Sequence, residues 1–276
     1  MIKEFSRGSA FAALMLLTPA VHAQETTLPA VNPGRPTVTD VALLTVPGYL
    51  EMESGLNYVR GKTGSDDQSS QAILLKLTDR PGRTQLRLST SGYVVQRAWG
   101  TTVRGLSDTV IGVQHLFAVQ RLFSVQDHSS YQDRSSYDVS GRIEYKLPTG
   151  GMKLGTGKAD LNLLLLASKD YSELLHADFN LGQASVGRSS RNVNAGQTFA
   201  SAALSYRLPQ NFTVQTELYG FAGNSSNGTN VVNGYGFTYT PRPDHVIDGY
   251  VGFGLTHAAP KFTVTIGHTF FLGKLF

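Results

Sequence analysis

Apolar and polar residues alternate with a period of two along most of the chain from Pro47 to the C-terminus. A clear example is 137–147, where a helix would mix the two sets of residues. Successive side chains of a strand point to opposite faces, so this alternation predicts β-strands. In that example, one face carries Tyr137, Val139, Gly141, Ile143, Tyr145 and Leu147, and the other carries Asp138, Ser140, Arg142, Glu144 and Lys146.

About twelve such segments are predicted, and most have the length of a tilted strand that crosses a bilayer, about 9–11 residues. An even number of strands, with both chain ends on one side, is typical of an outer-membrane barrel. The sequence therefore predicts an all-β fold, an up-and-down antiparallel transmembrane β-barrel of about 12 strands. The predicted strands are 48–60, 70–78, 83–92, 108–119, 136–147, 159–168, 171–182, 198–208, 211–221, 231–240, 245–255 and 260–272.

The connections between these segments differ in length. Tight turns with Pro, Gly and Asp are predicted at 79–82, 209–210 and 241–244, and longer polar loops at 61–69, 147–158, 182–196 and 222–229. Short turns on one side and long loops on the other are typical of the periplasmic and extracellular ends of a barrel. The alternation is imperfect because 119–135 is long and 256–260 is short, so one strand is open to miscounting.

The first 23 residues are predicted to be a secretory signal peptide that is removed from the mature protein. Lys3 and Arg7 are basic, 10–17 is a short apolar run, and Val21-His22-Ala23 fits the small-x-small cleavage pattern. Residues 24–46 contain three prolines and little alternation, which predicts an extended periplasmic lead-in, too short to form a plug domain. The barrel is expected to occupy 47–276.

Composition excludes several classes of function. The chain has no Cys, which excludes disulfide scaffolds, thiolate metal sites and cysteine nucleophiles. Charged residues are only 16%, and the basic ones are scattered, so no nucleic-acid partner is expected despite a pI near 9.2. The mean hydropathy of −0.13 is compatible with a membrane barrel, in which only alternate residues face lipid.

The main alternative for the fold is a soluble all-β protein, such as a periplasmic sandwich or a lipocalin-like barrel. That architecture would turn the apolar faces inward and uses fewer strands. Here the polar faces carry repeated charges, which would be costly to bury in a closed soluble barrel. The membrane barrel is therefore the favoured interpretation, with expected contacts to outer-membrane lipid.

Four stretches and the aromatic C-terminus, which together span most of 47–276, follow the order of motifs in one family. The stretches are PGYLEMESGLNYVRG, RGLSDTVIGVQHLF, YKLPTGGMKLGTGKADLNLLLL and VIDGYVGFGL. They resemble the outer-membrane transporter family named after the meta-pathway of phenol degradation. The resemblance implies an outer-membrane barrel that moves small, often aromatic or hydrophobic, compounds, and it supplies no catalytic residues. It also implies that Phe276 is read by the barrel-assembly machinery.

If the apolar faces meet lipid, the opposite faces line the lumen. These charges could form a constriction that orients a permeant, or they could pair across a narrow barrel and fill it. The eight acidic groups exceed the five Lys and Arg, which leaves the predicted lumen formally negative. The candidate pore-lining residues are Glu51, Glu53, Lys76, Arg87, Asp108, Arg142, Glu144, Lys146, Asp160, His176, Asp178, Arg207, Glu217 and Asp248.

Other chemistries have weaker support. A lipid hydrolase needs a serine activated by a histidine, but Ser226-Asn227-Gly228 has no nearby His, and His128-Ser129 lacks the Asn-Gly. His115 and His268 fall on the expected lipid face. His176 and Asp178 share a face without further metal ligands, so no metal or cofactor is expected. The spacing around Lys158 does not fit a phosphate-binding loop.

The function predicted from the sequence is passive passage of small molecules across the Gram-negative outer membrane, without a catalytic activity. A lipid-modifying barrel enzyme and a structural or adhesive barrel remain as alternatives. A histidine–serine contact on the outer wall would favour the enzyme. A lumen closed by paired charges would favour the structural barrel.

Overall fold

The computed structural model describes residues 28–62, 67–98, 100–121, 136–151, 154, 157–187, 194–223 and 228–276. The predicted signal peptide lies outside these residues, as do His128-Ser129 and most of the Ser226-Asn227-Gly228 motif. The described strands are β1 (Tyr49–Arg60), β2 (Asp67–Thr78), β3 (Thr84–Thr90), β4 (Tyr93–Ala98), β5 (Thr101–Leu106), β6 (Thr109–Arg121), β7 (Ser136–Leu147), β8 (Asp160–Asp170), β9 (Leu175–Gly187), β10 (Asn194–Arg207), β11 (Phe212–Ala222), β12 (Asn230–Arg242), β13 (His245–Gly254) and β14 (Phe262–Lys274).

These strands form one closed antiparallel barrel. Neighbours pair in chain order, and β1 pairs along its whole length with β14, from Tyr49↔Lys274 to Arg60↔Phe262. Two wall strands are each interrupted once. The first consists of β3 and β4, which both pair with β2. The second consists of β5, which pairs with β4, and β6, which pairs with β3. Counting each interrupted pair as one strand turns the fourteen segments into a wall of twelve strands, which confirms the predicted fold class.

The hairpin of β4 and β5 is the part of the wall that the sequence pattern missed. Ser91-Gly92 and Ser107-Asp108 break the alternation at the same height on neighbouring strands, so the periodic signal ends at Thr90 and resumes only at Thr109. Gly92 has a φ of 55°, a conformation that favours glycine. The strand predicted at 171–182 begins later in the structure, because 171–174 forms the turn before β9.

The connections fall into two groups at opposite ends of the barrel. The "short-turn end" carries 79–83, 171–174, 208–211 and 243–244, and the "long-loop end" carries 61–66, 148–159, 188–193, 223–229 and 255–261. The strand count was therefore correct, but the expected rule of loop length has two exceptions. The 99–100 connection between β4 and β5 has only two residues although it lies at the long-loop end. Arg121 and Ser136 pair with each other at the short-turn end, so the long 122–135 connection joins strands there.

The outer face of the barrel is apolar. On β8, for example, Leu161, Leu163 and Leu165 are exposed, whereas Leu166 is fully buried. Paired aromatic residues lie near both ends of the strands, such as Tyr49 with Phe271 and Tyr58 with Phe262. An exposed apolar surface around a whole barrel is stable in lipid and costly in water. Within the described ranges, no helix is long and apolar enough to span a bilayer.

The lumen is filled from the short-turn end by residues 28–46, here called the N-terminal segment. Its Val31 N–H donates to the carbonyl of Pro243 in a short turn, and its later residues bond to inward-facing side chains of ten of the described strands. The sequence predicted an extended periplasmic lead-in over 24–46; its described part, residues 28–46, lies against the inner face of the wall. The segment is too short to form a domain, but it needs none because the wall supplies its hydrogen-bond partners.

Candidate channel lumen

Wall side chains satisfy the backbone of the N-terminal segment. A chain that enters a closed barrel loses water and must find other acceptors for its N–H groups. Carboxylate, amide and hydroxyl oxygens of the wall accept eight of them at 2.7–3.1 Å. The donors are the backbone N–H groups of Asn32, Gly34, Arg35, Val38, Thr39, Asp40, Ala42 and Thr45, and the acceptors are Glu51, Glu53, Glu217, Asn180, Ser168 and Gln85.

Asp40 is the electrostatic centre of the N-terminal segment. Its Oδ2 lies 2.7 Å from Nη2 of Arg87 on β3 and also accepts a hydrogen bond from Nη1 of Arg142 on β7. Its backbone N–H donates to Oδ1 of Asn180 at 2.7 Å, and Nδ2 of Asn180 donates to its carbonyl at 2.8 Å. Asp40 therefore joins three wall strands: it pairs with Arg87, and it shares Arg142 with Glu144 of the wall.

Lys76 forms a second anchor close to the start of β1. Its Nζ lies 2.7 Å from Oε1 of Glu51 and 2.5 Å from Oε1 of Glu53, and it donates to the carbonyl of Asn32 at 2.6 Å. All three charged side chains are almost completely buried. One buried lysine thus holds two carboxylates in position to accept N–H groups of the segment.

Arg35 forms a third anchor, on the side of β13 and β14. Its Nε and Nη2 donate to the two carboxylate oxygens of Asp248 at 3.2 and 3.1 Å, and Nη2 also donates to Thr265. The guanidinium lies against Gly55 and Gly267, where a Cβ atom would overlap it. These two glycines face each other across the β1–β14 pair, and together they make a notch for the arginine.

Further contacts complete the attachment. Glu217 accepts hydrogen bonds from the backbone of Val38 and Thr39 and from the Thr39 hydroxyl at 2.9–3.0 Å. Nε2 of Gln114 donates to the carbonyls of Val41 and Ala42, each at 3.2 Å. The segment is thus bound to the wall through both its N–H and its carbonyl groups.

The predicted pore-lining residues divide into three groups. Glu51, Glu53, Lys76, Arg87, Arg142, Glu217 and Asp248 contact the N-terminal segment. Glu144 pairs with Arg142, and Lys146 pairs with Asp108 and Asp160, all nearer the long-loop end. His176 lies between Asp170 and Asp178, and Arg207 is exposed at the short-turn end of β10.

Sequence reasoning missed the residues that join the wall to the segment. Gln85, Gln114, Ser168 and Asn180 occupy polar faces of predicted strands, but they carry no charge and so were not selected. Asp40 and Arg35 lie outside the periodic region altogether. The available signal was an unusual pair of opposite charges in a proline-containing lead-in, close to a barrel rich in carboxylates.

An open part of the lumen remains on the side of the long loops. This vestibule is a cavity of about 710 Å³. Arg35 of the N-terminal segment and Glu53 lie at its inner end, and Asp108 and Lys146 line one side. Its other lining residues are Gln68, Ala72, Ile73, Leu74, Ser89, Thr90, Ser91, Val94, Gln96, Ser107, Val110 and Leu154.

The histidines on the outer wall do not form a serine site among the described residues. His115 pairs with the hydroxyl of Thr84, and His268 lies 2.9 Å from His245. No group of three or more His, Cys, Asp or Glu residues suited to a metal is found in the described part of the chain.

The pKa of Asp40 predicts that this anchor survives mild acid. Burial alone would raise the pKa of the Asp40 carboxyl, but Arg87 and Arg142 outweigh it and hold the pKa well below its ordinary value of 3.8. A carboxylate with a lowered folded-state pKa stabilises the fold at every pH above its ordinary value, and its contribution is lost only as the pH falls through the lowered pKa. Asp40 should therefore remain ionised and paired throughout the physiological range.

We expect the accessibility of the segment to be unchanged between about pH 8 and pH 5. The measurement is the rate at which a water-soluble thiol reagent labels Ala42→Cys, whose parent residue is fully buried. Rates are corrected with Thr101→Cys, an exposed position in the β4–β5 hairpin. A steep rise in corrected labelling at about pH 5 would contradict the role given to Asp40.

Comparison with known proteins supports the fold. The sequence matches no protein-family model, and no curated protein matches it significantly. Among solved structures, it is similar to the COG4313 outer membrane channel from Pseudomonas putida F1, with 12% identity and a TM-score of 0.64 over 88% of this chain and 100% of that one. It is also similar to the NanC porin, with 9% identity and a TM-score of 0.52 over 80% of this chain and 98% of that one. The chain thus has the fold of outer-membrane β-barrels.

Proposed function

We propose that this protein is an outer-membrane channel for passive passage of small molecules, closed at rest by its N-terminal segment. The observation that carries the proposal is the way the segment is bound. It is held by hydrogen bonds and ion pairs to side chains, without joining the β-ladder, so it can leave while the twelve-strand wall stays intact. The solved barrels of similar fold include proteins described as a channel and a porin.

The permeant class is also part of the proposal. The vestibule combines apolar side chains such as Ala72 and Val94 with hydroxyl and amide groups, which suits small amphipathic or aromatic compounds. The resemblance to the transporter family of the phenol meta-pathway points in the same direction. No cofactor, energy source or catalytic group is required for such passage.

The test compares residues 24–276 with a chain that begins at residue 47, each refolded and recorded in a planar bilayer. We expect the longer chain to conduct little and the shorter one to show discrete current steps. A mild cation preference is expected from the excess of acidic side chains in the predicted lumen. Glu144→Gln, a position that does not touch the segment, should reduce this preference.

A second variant tests the same proposal without the shortened chain, which could fail to fold. Glu217→Gln in the full-length protein weakens the contacts to Val38 and Thr39 without removing any residue, and it should increase the frequency of current steps. A folded barrel that stays silent in both forms would contradict the channel. It would favour a structural barrel, the alternative supported by the filled and charge-paired lumen.

A further inference from the structure

Three arginines lie on the outer wall of the barrel at the long-loop end. Arg60 is the last residue of β1 and faces the same side as Leu56, which is exposed on the outer surface. Arg97 on β4 and Arg104 on β5 are exposed, and they share the outward side of the hairpin with Leu106. These side chains therefore face the membrane side of the barrel and not the lumen.

Strand register brings the three arginines into one area, here called the arginine patch. Asp67 on β2 is the direct neighbour of Arg60 on one side and of Arg97 on the other. Arg97 pairs with Thr102, so Arg104 lies diagonally across from it, two positions further along β5. Direct neighbours on adjacent strands are about 5 Å apart, and diagonal neighbours are about 7–8 Å apart. The three guanidinium groups can therefore contact one ligand together.

The patch carries more positive charge than the protein neutralises. Nη1 of Arg60 lies 3.0 Å from Oδ2 of Asp67, which also accepts a hydrogen bond from the Tyr58 hydroxyl. The described residues place no carboxylate within ion-pair distance of Arg97 or Arg104. Asp67 is also the only acidic residue among the outward positions of the described strands β1, β2, β4 and β5. Three arginines and one aspartate give the patch a formal charge of +2.

The patch lies at the height where lipid headgroups meet the barrel. Tyr58 and Phe262 pair on the outer wall beside Arg60, and such aromatic residues mark the boundary between the apolar band and the headgroups. Towards the short-turn end the same wall becomes apolar, with Leu56 and Leu106 exposed. A lipid bound here would contact the arginines through its headgroup and the leucines through its acyl chains.

We propose that the arginine patch binds the phosphate groups of lipid A, the membrane-embedded part of lipopolysaccharide. The long loops of such barrels are extracellular, so the leaflet at this height is the outer one, which lipopolysaccharide forms in Gram-negative bacteria. Guanidinium groups bind phosphate through paired hydrogen bonds. The exposed hydroxyls of Ser69 and Thr102 lie on the same outward side, where they can bond to the sugars.

The site goes beyond the proposed channel function and does not depend on it. The β4–β5 hairpin is joined to β2 through four residue pairs, from Asp67↔Arg97 to Ser70↔Val94. A lipid that binds Arg60 on β1 together with Arg97 and Arg104 on the hairpin would add a link between the hairpin and the rest of the wall.

The test measures lipid binding to residues 24–276, folded in detergent, by native mass spectrometry. The probes are lipid A with two phosphates, the same lipid without phosphates, and phosphatidylglycerol. The patch variant is Arg97→Gln, Arg104→Gln. The matched control is Arg83→Gln, Arg207→Gln, which removes the same charge from two exposed arginines at the short-turn end. A heat-dependent shift in gel mobility confirms that each barrel is folded.

We expect the patch variant to bind phosphorylated lipid A about tenfold or more weakly than the unchanged protein, because two of the three arginines are gone. The control variant should bind it as the unchanged protein does. Lipid A without phosphates should not distinguish the three proteins. Asp67→Asn removes the negative charge of the patch, and it should strengthen binding of the phosphorylated lipid by about threefold or more.

Equal affinity of the patch and control variants for phosphorylated lipid A would overturn the site, as would binding to the unchanged protein that does not depend on the phosphates. An equal loss of phosphatidylglycerol binding in the patch variant would overturn the assignment to the glycolipid. If the patch variant did not fold, Arg104→Gln alone would give the same comparison with a smaller loss. No current is measured, so failure of this site is distinguishable from failure of the channel.

Discussion

Replacement of Asp40 by Asn should release the N-terminal segment from the lumen. The variant removes the carboxylate shared by Arg87 and Arg142, both of which are buried, so Arg87 loses this ion pair and Arg142 keeps only its pairing with Glu144. Removing one partner of a buried ion pair typically costs about 3–5 kcal/mol. This cost falls on the bound state of the segment, because the arginines regain water when the segment leaves.

The measurements are single-channel current and thiol labelling at Ala42→Cys. We expect frequent current steps and labelling faster by a factor of about one hundred or more, the equivalent of about 3 kcal/mol. Asp67→Asn is a matched control, because its partner Arg60 is partly exposed at the long-loop end, whereas the two arginines beside Asp40 are buried. If Asp40→Asn remained as silent and as protected as Asp67→Asn, Asp40 would not be the main anchor.

The fold was predictable because each strand carries its own alternation of apolar and polar residues, which can be recognised without knowing its neighbours. Each strand that crosses the wall must show apolar residues to lipid and polar residues to the lumen, so twelve separate segments carried the same signal. The β4–β5 hairpin was missed for the converse reason. β4 pairs with β2 and so belongs to the wall, but Ser91-Gly92 and Ser107-Asp108 interrupt the alternation on both sides of the hairpin, and Thr101 and Thr102 at its tip are exposed.

The candidate site was predicted only on its wall side. The charged residues at inward positions were selected because they alternate with the apolar residues of each predicted strand. Most of them contact the N-terminal segment or pair with one another. Their purpose was not evident, because a carboxylate that lines water and one that accepts backbone N–H groups occupy the same position in the pattern. Glu217 illustrates this: it faces the lumen as expected, but its hydrogen bonds go to Val38 and Thr39.

The glycines Gly55 and Gly267 show how far the wall is adapted to the segment. A Gly in a strand interior costs stability, since it has no side chain to pack and loses more backbone entropy on folding. Here both positions face inward, opposite each other on β1 and β14, and the space they leave is occupied by Arg35. The notch is of use only if the segment is present.

Gly55→Val should therefore displace Arg35 while leaving the wall intact. Valine favours strands, and the added side chain projects into the lumen rather than into the wall. Because its Cβ would overlap the guanidinium, Arg35 must move away from Asp248, whose fully buried carboxylate would then lose its ionic partner. We expect a loss of about 3–5 kcal/mol in the binding of the segment, comparable to that of Asp40→Asn.

The measurement is again current and labelling at Ala42→Cys, with thermal unfolding as a test of the wall. Gly273→Val is the matched control, since a Cβ at that position on β14 meets nothing within 4 Å. Both variants should retain a folded barrel, and only Gly55→Val should conduct. If both variants conducted, valine on either strand would disturb the wall itself. If neither conducted, Arg35 would be able to move aside and keep an ion pair in a new position. Only a difference between them locates an anchor of the closed state in the notch itself.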